Sequence, residues 1–357
     1  MWPDRRLLDL FGIEHPIILA PMGGAMDWEL TTAVAEAGGL GSLPCIMYTA
    51  EKIRDEVGKI RARTKAPINL GFFSHKQAPP DNAREASWRD RLAPYYKEFG
   101  LDPNASAPAP ARSPFNEEFC AIVEELKPAA VAFHFGLPEP ALVNRVKASG
   151  AKVISSATTV AEARWLEQHG ADLIVAQGAE AGGHRGIFLS DDISTQAGTF
   201  ALVPQVVDAV KVPVVAAGAV SDARGIAAAF ALGAAGVQLG TAYLHCPESK
   251  ISRPHREALK NANDASTTLT NIMSGRPARG IVNRLIREQG PIAEVPAFPN
   301  AANAIAPLSA AAEKAGSGDF SPLWSGQAAA LGRALPAGEL TKKLAAEALE
   351  RLRVLAK

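Results

Sequence analysis

A histidine set among glycines is where chemistry first gathers in this sequence. The run Val175-Ala-Gln-Gly-Ala-Glu-Ala-Gly-Gly-His-Arg-Gly186 leaves an apolar strand-like segment and places glycines at 178, 182, 183 and 186 around His184. Glycine lets a backbone turn through positive φ and brings its N–H groups close to a ligand. Gln177 adds an amide at the strand end, and the imidazole of His184 can donate, accept or carry a proton near neutral pH. A plain surface turn has the same composition, so the rest of the chain has to decide between a turn and a reaction site.

Two further turns carry a related signal. Ala216-Ala-Gly-Ala-Val-Ser-Asp222 and Val237-Gln-Leu-Gly-Thr-Ala242 each run from an apolar strand into a helix through small residues, Gly218 and Ala219 in one, Gly240 and Thr241 in the other. Backbone N–H groups at a helix start attract a phosphate, and small residues let it approach. Asn69 offers a second amide, and Pro21-Met22-Gly23 an apolar surface with a closely approachable backbone. A phosphate anchor, two amides and an apolar face fit flavin mononucleotide (FMN), which has one phosphate and a flat ring with a hydrogen-bonding edge. His134 ends another strand and reads either as a substrate ligand or as packed core.

The elements that must position these groups alternate regularly. Short apolar runs at 17–20, 40–43, 67–73, 130–135, 152–156, 172–176, 213–217 and 236–239 alternate with helical patterns, among them one over 221–232 with Ser221 as its N-cap. Eight such units within about 240 residues fit a closed (β/α)₈ TIM barrel of the α/β class, whose active site lies at the C-terminal ends of the strands. No G-x-G-x-x-G turn supports a Rossmann fold. The expected organisation is a barrel over 1–246, a smaller, mainly helical subdomain over 247–322 covering the active-site mouth, and a segment over 323–357 that returns to the barrel. An insertion over 75–114 interrupts the barrel. It holds an amphipathic stretch with Trp88, Leu92, Tyr95, Tyr96 and Phe99 on one face, then a Pro/Ala-rich piece over 102–114, and reads as a lid or a plain insertion.

Of 357 residues, 47% are hydrophobic and 21% charged, as in a globular protein with a sizeable core. Lys+Arg and Asp+Glu balance at 37 each, so no overall field favours nucleic acid or an anionic membrane. Three scattered cysteines form neither a disulfide framework nor a metal cluster and suit a reducing compartment. The start lacks the pattern of a signal peptide, and no apolar run is long enough to span a bilayer. A cytoplasmic protein of open oligomeric state is expected.

Taken together, Pro16-Ile-Ile-Leu-Ala-Pro-Met-Gly-Gly24, the run 176–186, Gly236-Val-Gln-Leu-Gly-Thr-Ala-Tyr243 and Ser274-Gly-Arg-Pro-Ala-Arg-Gly280 resemble the nitronate monooxygenases, formerly called 2-nitropropane dioxygenases, and in particular their bacterial class I branch. The resemblance covers essentially the whole chain. It implies a barrel that binds FMN without a metal and oxidises nitronates, above all propionate 3-nitronate, with O₂ to a carbonyl product and nitrite through a flavin semiquinone. It assigns flavin contacts to Met22, Gly23, Asn69, Gln177, Gly182, Gly183, Gly218, Ala219, Gln238, Leu239, Gly240 and Thr241. His184 becomes the active-site histidine and His134 a second histidine near the substrate. Two rival readings keep the same cofactor: an NAD(P)H-dependent FMN reductase of the quinone or enoyl-ACP type, and a flavin-binding protein without turnover.

Overall fold

Eight parallel strands form the centre of the molecule: β1 (Ile17–Leu19), β2 (Gly41–Pro44), β3 (Ile68–Phe73), β4 (Ala130–His134), β5 (Lys152–Ala157), β6 (Leu173–Gln177), β8 (Val214–Ala217) and β9 (Gly236–Leu239). The computed structural model describes residues 1–79, 81–102 and 113–356. The strands follow one another in the order β1-β9-β8-β6-β5-β4-β3-β2, and a parallel bridge between Ile18 and Leu40 closes the ring. Every strand expected from the apolar runs is present. Those runs are continuous because parallel barrel strands are buried on both faces, as Ile17, Ile18 and Leu19 are.

Helices surround the ring, and their starts follow capping chemistry. Thr49, Asn116 and Thr159 each accept a hydrogen bond from a backbone N–H of the first turn. The helix after β8 differs from expectation. Asp222, not Ser221, caps it by accepting from Arg224 N at 2.8 Å, while the Arg224 guanidinium holds the other carboxylate oxygen. The helix therefore begins at Ala223 and leaves Ser221 in the preceding loop. After β9 the chain makes only one helical turn, Thr241–Leu244. The long C-terminal helix Ala337–Leu355 packs instead against the helices Trp28–Glu36 and Ala223–Ala231, with Leu340 and Leu344 in the barrel's hydrophobic core.

A second body sits over the barrel mouth. It holds the helices Arg253–Lys260, Arg284–Gln289 and Ala301–Lys314, but also an antiparallel sheet that the helical reading did not include. Its strands are β10 (Thr267–Thr270), β11 (Ala278–Ile281) and β7 (Gly183–His184), and β7 is the glycine-rich loop itself. The insertion's helix, Asn82–Glu98, packs against this body. Trp88, Leu92, Tyr95 and Tyr96 are buried with Ile272, Ile305, Leu308 and Phe320, so its apolar face is a docking surface within the fold. Most of the Pro/Ala-rich piece lies outside the described residues. Among the described residues no helix is long and apolar enough to cross a membrane.

Tyr96 donates its hydroxyl to the carbonyl of Ala304 at 2.6 Å in this buried seam. Tyr96→Phe removes this buried hydrogen bond and is expected to cost about 1 kcal/mol. The measurement is the urea unfolding midpoint. An unchanged midpoint would show that this bond contributes nothing to holding the insertion against the second body.

Candidate active site

A cleft of about 500 Å³ opens at the C-terminal ends of the barrel strands. Met22 and Gly23 beyond β1, His134 ending β4 and Gln177 ending β6 line it. Gly182, Gly183 and His184 form the loop wall, and Gly218, Ala219, Gln238, Gly240 and Thr241 line it at and beyond the ends of β8 and β9. Two expected contacts are not on its surface. Leu239 is buried in the core behind the strand, because Gln238 takes the inward-facing position. Asn69 shares a strand face with Gly71 and Phe73, which do line the cleft, but lies one layer deeper. Its Nδ2 donates to Ser42 Oγ at 2.9 Å, and its buried Oδ1 has no protein partner.

The loop that carries His184 is fixed by its own backbone. Gln177 donates through Nε2 to the carbonyl of His184 at 2.9 Å, and its Oε1 accepts from Gly186 N at 2.7 Å. His134 Nε2 reaches the same carbonyl at 3.0 Å. A carbonyl can only accept, so His134 carries its proton on Nε2 and its Nδ1 accepts from Ser156 Oγ at 3.0 Å. Burial pushes the His134 pKa down to about 4, more strongly than its bond to the His184 carbonyl raises it, and Arg276 and Arg185 add to the depression. The ring is therefore neutral at pH 7. His134, assigned by the resemblance to the substrate, has both nitrogens engaged and supports the loop. Gln177 likewise holds the loop, with one N–H and one oxygen lone pair left for a ligand.

Three arginines grip the loop from behind. Fully buried Arg185 donates to the carbonyls of Gln177 and Gly178, each at 2.6 Å, and to Gln196 Oε1 at 2.9 Å. Arg279 donates to the carbonyl of Ala179 and Arg276 to that of Ile187, both at 2.8 Å. Arg276 also lies over the Phe135 ring, 4.2 Å from its centroid. Sequence reasoning did not single out these arginines. The available signal was an arginine inside a glycine-rich turn directly after a buried strand.

His184 pairs across strands with Ala278, and its Nε2 lies 2.8 Å from the hydroxyl of buried Ser274. The Ser274–Gly280 motif thus serves the histidine by supplying both the strand beside it and the hydroxyl on its ring. Aromatic rings enclose the imidazole: Trp324 at 5.3 Å, Phe298 at 5.4 Å, and Phe73 and Phe135 at 6.0 Å between centroids. Trp324 also lines the cleft. Tyr95 and Tyr96 pack in the second body.

At the end of β8, Gly218 and Ala219 take successive positive φ values of 106° and 58°. The N–H groups of Ala219, Val220 and Ser221 donate to no other described residue, and all three residues line the cleft. Such a turn of unpaired N–H groups is an anion-binding concavity. The single helical turn after β9 adds little dipole, so this end rests on the N–H groups themselves. Thr241 Oγ1 accepts from Gly326 N at 2.9 Å and ties the barrel to the second body. Burial pushes the Cys246 thiol up to about 12 and that of Cys45 higher still, so neither offers a thiolate at neutral pH.

Comparison with known proteins agrees over the full length. The family model described as nitronate monooxygenase matches residues 4–347. A nitronate monooxygenase of Pseudomonas aeruginosa is 43% identical over 346 residues, covering 96% of this chain and 98% of that protein. Among solved structures, a nitroalkane oxidase from Streptomyces ansochromogenes superposes with a TM-score of 0.89 at 38% identity, covering 99% of this chain and 100% of that one. FabK from Thermotoga maritima gives a TM-score of 0.77 at 28% identity, covering 100% of this chain and 99% of that one.

The buried histidines set a pH dependence. His134 and His255 are both pushed down to about 4 by burial, whereas in the unfolded chain they ionise near the ordinary 6.5. The unfolded state then binds more protons, so their contribution to stability is complete above pH 6.5 and is lost as pH falls toward 4. The melting temperature is expected to drop across that window, and to drop less steeply in His134→Asn. Parallel curves would show that His134 is not neutral in the folded protein.

Proposed function

The chain belongs to the nitronate monooxygenase family of flavin-dependent oxidoreductases, and from that premise we propose that it oxidises alkyl nitronates with O₂, giving a carbonyl product and nitrite, with FMN held in the cleft. The observation that carries this reading is that one cleft is lined both by His184 and by Ala219, Val220 and Ser221, whose N–H groups have no partner among the described residues. The residues present fit FMN. Three N–H donors suit its phosphate, Met22 and Pro21 offer an apolar wall for a ring, and Asn69 Oδ1 is a buried acceptor without a protein donor. When bound, FMN supplies the redox chemistry, taking electrons from the nitronate and delivering them to oxygen.

The protein's part is to hold an anion in place. A nitronate has already lost its α-proton, so His184 serves best as a hydrogen-bond donor to the nitro oxygens. The hydroxyl of Ser274 on Nε2 orients the ring, and His134 and Gln177 fix the backbone beneath it. Phe73 and Trp324 exclude water and so strengthen the interaction.

The FMN-loaded enzyme is expected to consume O₂ and release nitrite with ethyl nitronate. His184→Asn should lower kcat/KM by roughly 10²–10³ while flavin content is retained, and full turnover by that variant would remove His184 from the mechanism. Anaerobic mixing with NADH is expected to leave the flavin oxidised. Rapid bleaching would instead establish the NAD(P)H-dependent reductase reading, which the likeness to FabK keeps in view.

A further inference from the structure

We propose that Glu162 is a positioning residue for His184: from the helix after β5, its buried carboxylate holds both ends of the glycine-rich loop that presents the imidazole to a nitronate. The inference rests on the nitronate reading and adds to that site a residue from outside the cleft lining.

The helix is Val160–Gln168, and its cap Thr159 accepts from Glu162 N at 3.2 Å. A glutamate at this third helical position ordinarily reaches back to the N–H of the cap residue. Here its two oxygens divide between two segments. Oε2 accepts from the N–H and the hydroxyl of Thr158, each at 2.7 Å. Oε1 crosses to the loop and accepts from Phe188 N at 2.7 Å and Leu189 N at 3.3 Å. Glu162 is only 1% exposed, and a carboxylate so buried is tolerated because donors surround it.

From Thr158 the chain of contacts continues under the start of the loop. The Thr158 hydroxyl accepts from Gln196 Nε2 at 3.0 Å, and Gln196 Oε1 accepts from Arg185 Nε at 2.9 Å. The remaining nitrogens of Arg185 hold the carbonyls of Gln177 and Gly178. One carboxylate thus fixes residues 188 and 189 directly and 177 and 178 through three side chains, with His184 between them. Burial pulls the pKa values of Arg185 and Arg276 down, and the charge of Glu162 acts against that pull. Arg276 in turn holds the carbonyl of Ile187. A glutamine at 162 would lose the charge and turn an NH₂ group toward N–H donors that need an acceptor.

The test is a double-mutant cycle between Glu162→Gln and His184→Asn, read as oxygen uptake by the FMN-loaded enzyme with ethyl nitronate. Glu162→Gln is expected to lower kcat/KM by on the order of tenfold in the wild-type background, but by less than about twofold in His184→Asn, where no imidazole is left to misplace. Equal losses in both backgrounds, or no loss in either, would overturn the inference. Thr158→Val removes the hydroxyl between Glu162 and Gln196 at nearly constant volume. It is expected to repeat the pattern at smaller size, and it decides the matter by the same criteria if Glu162→Gln does not fold. Amide hydrogen exchange over residues 183–189 reads the loop without turnover. It is expected to quicken by on the order of tenfold in either variant, and unchanged exchange would count against Glu162 whatever the rates. Wild-type enzyme that takes up no oxygen with ethyl nitronate would sink the nitronate reading, while the exchange measurement still judges the hold of Glu162 on the loop.

Discussion

One backbone carbonyl bears much of this architecture. The oxygen of His184 accepts hydrogen bonds from Gln177 at 2.9 Å and from His134 at 3.0 Å, side chains that end two different barrel strands. A glycine-rich turn loses more conformational entropy on ordering than any other kind, so it stays fixed only if its peptide groups are held individually. Here they are. The carbonyls at 177, 178, 179 and 187 go to three arginines, and the N–H of Arg185 goes to the carbonyl of Pro277. An imidazole on such a loop keeps one orientation, which electrostatic stabilisation of a bound anion requires.

The same loop joins the two bodies of the molecule. By pairing with β11, the two residues of β7 become the edge of the second body's sheet, and the cleft lies where barrel and cover meet. Close approach seals that junction. A Cβ at Gly182 would lie 2.5 Å from the Gly326 nitrogen, so only glycine lets the chains touch. The second body is held in turn by the helix Asn82–Glu98, whose aromatic face is buried against it. What looks like an interruption of the barrel is a support for the body beside its cleft.

The barrel was legible because its strands are buried on both faces and leave uninterrupted apolar runs, and because the rule for strand ends then names the site. Residues whose role depends on direction within a strand were less legible. Leu239 and Gln238 are adjacent, and only the pleat decides which one faces the cleft. Asn69 lies in the right strand but one layer too deep for a spacing argument to place. The two-residue strand β7 has no periodicity to read, so the sheet in the second body stayed hidden. His134 and Gln177 could be placed at the cleft from their strand ends, but nothing in a strand-end position tells that each also holds the His184 carbonyl. The preference of Asp222 over Ser221 as a cap depends on Arg224 closing over the carboxylate, a contact that no cap propensity contains.

The central claim is that a backbone anchored through the His184 carbonyl positions the group that holds the substrate. The most direct measurement is the rate of anaerobic flavin reduction by ethyl nitronate in Gln177→Leu, followed by stopped-flow absorbance with flavin occupancy determined on the same sample. The account predicts that flavin remains bound while the reduction rate falls by on the order of tenfold or more. Reduction at the wild-type rate in a flavin-loaded variant would contradict it.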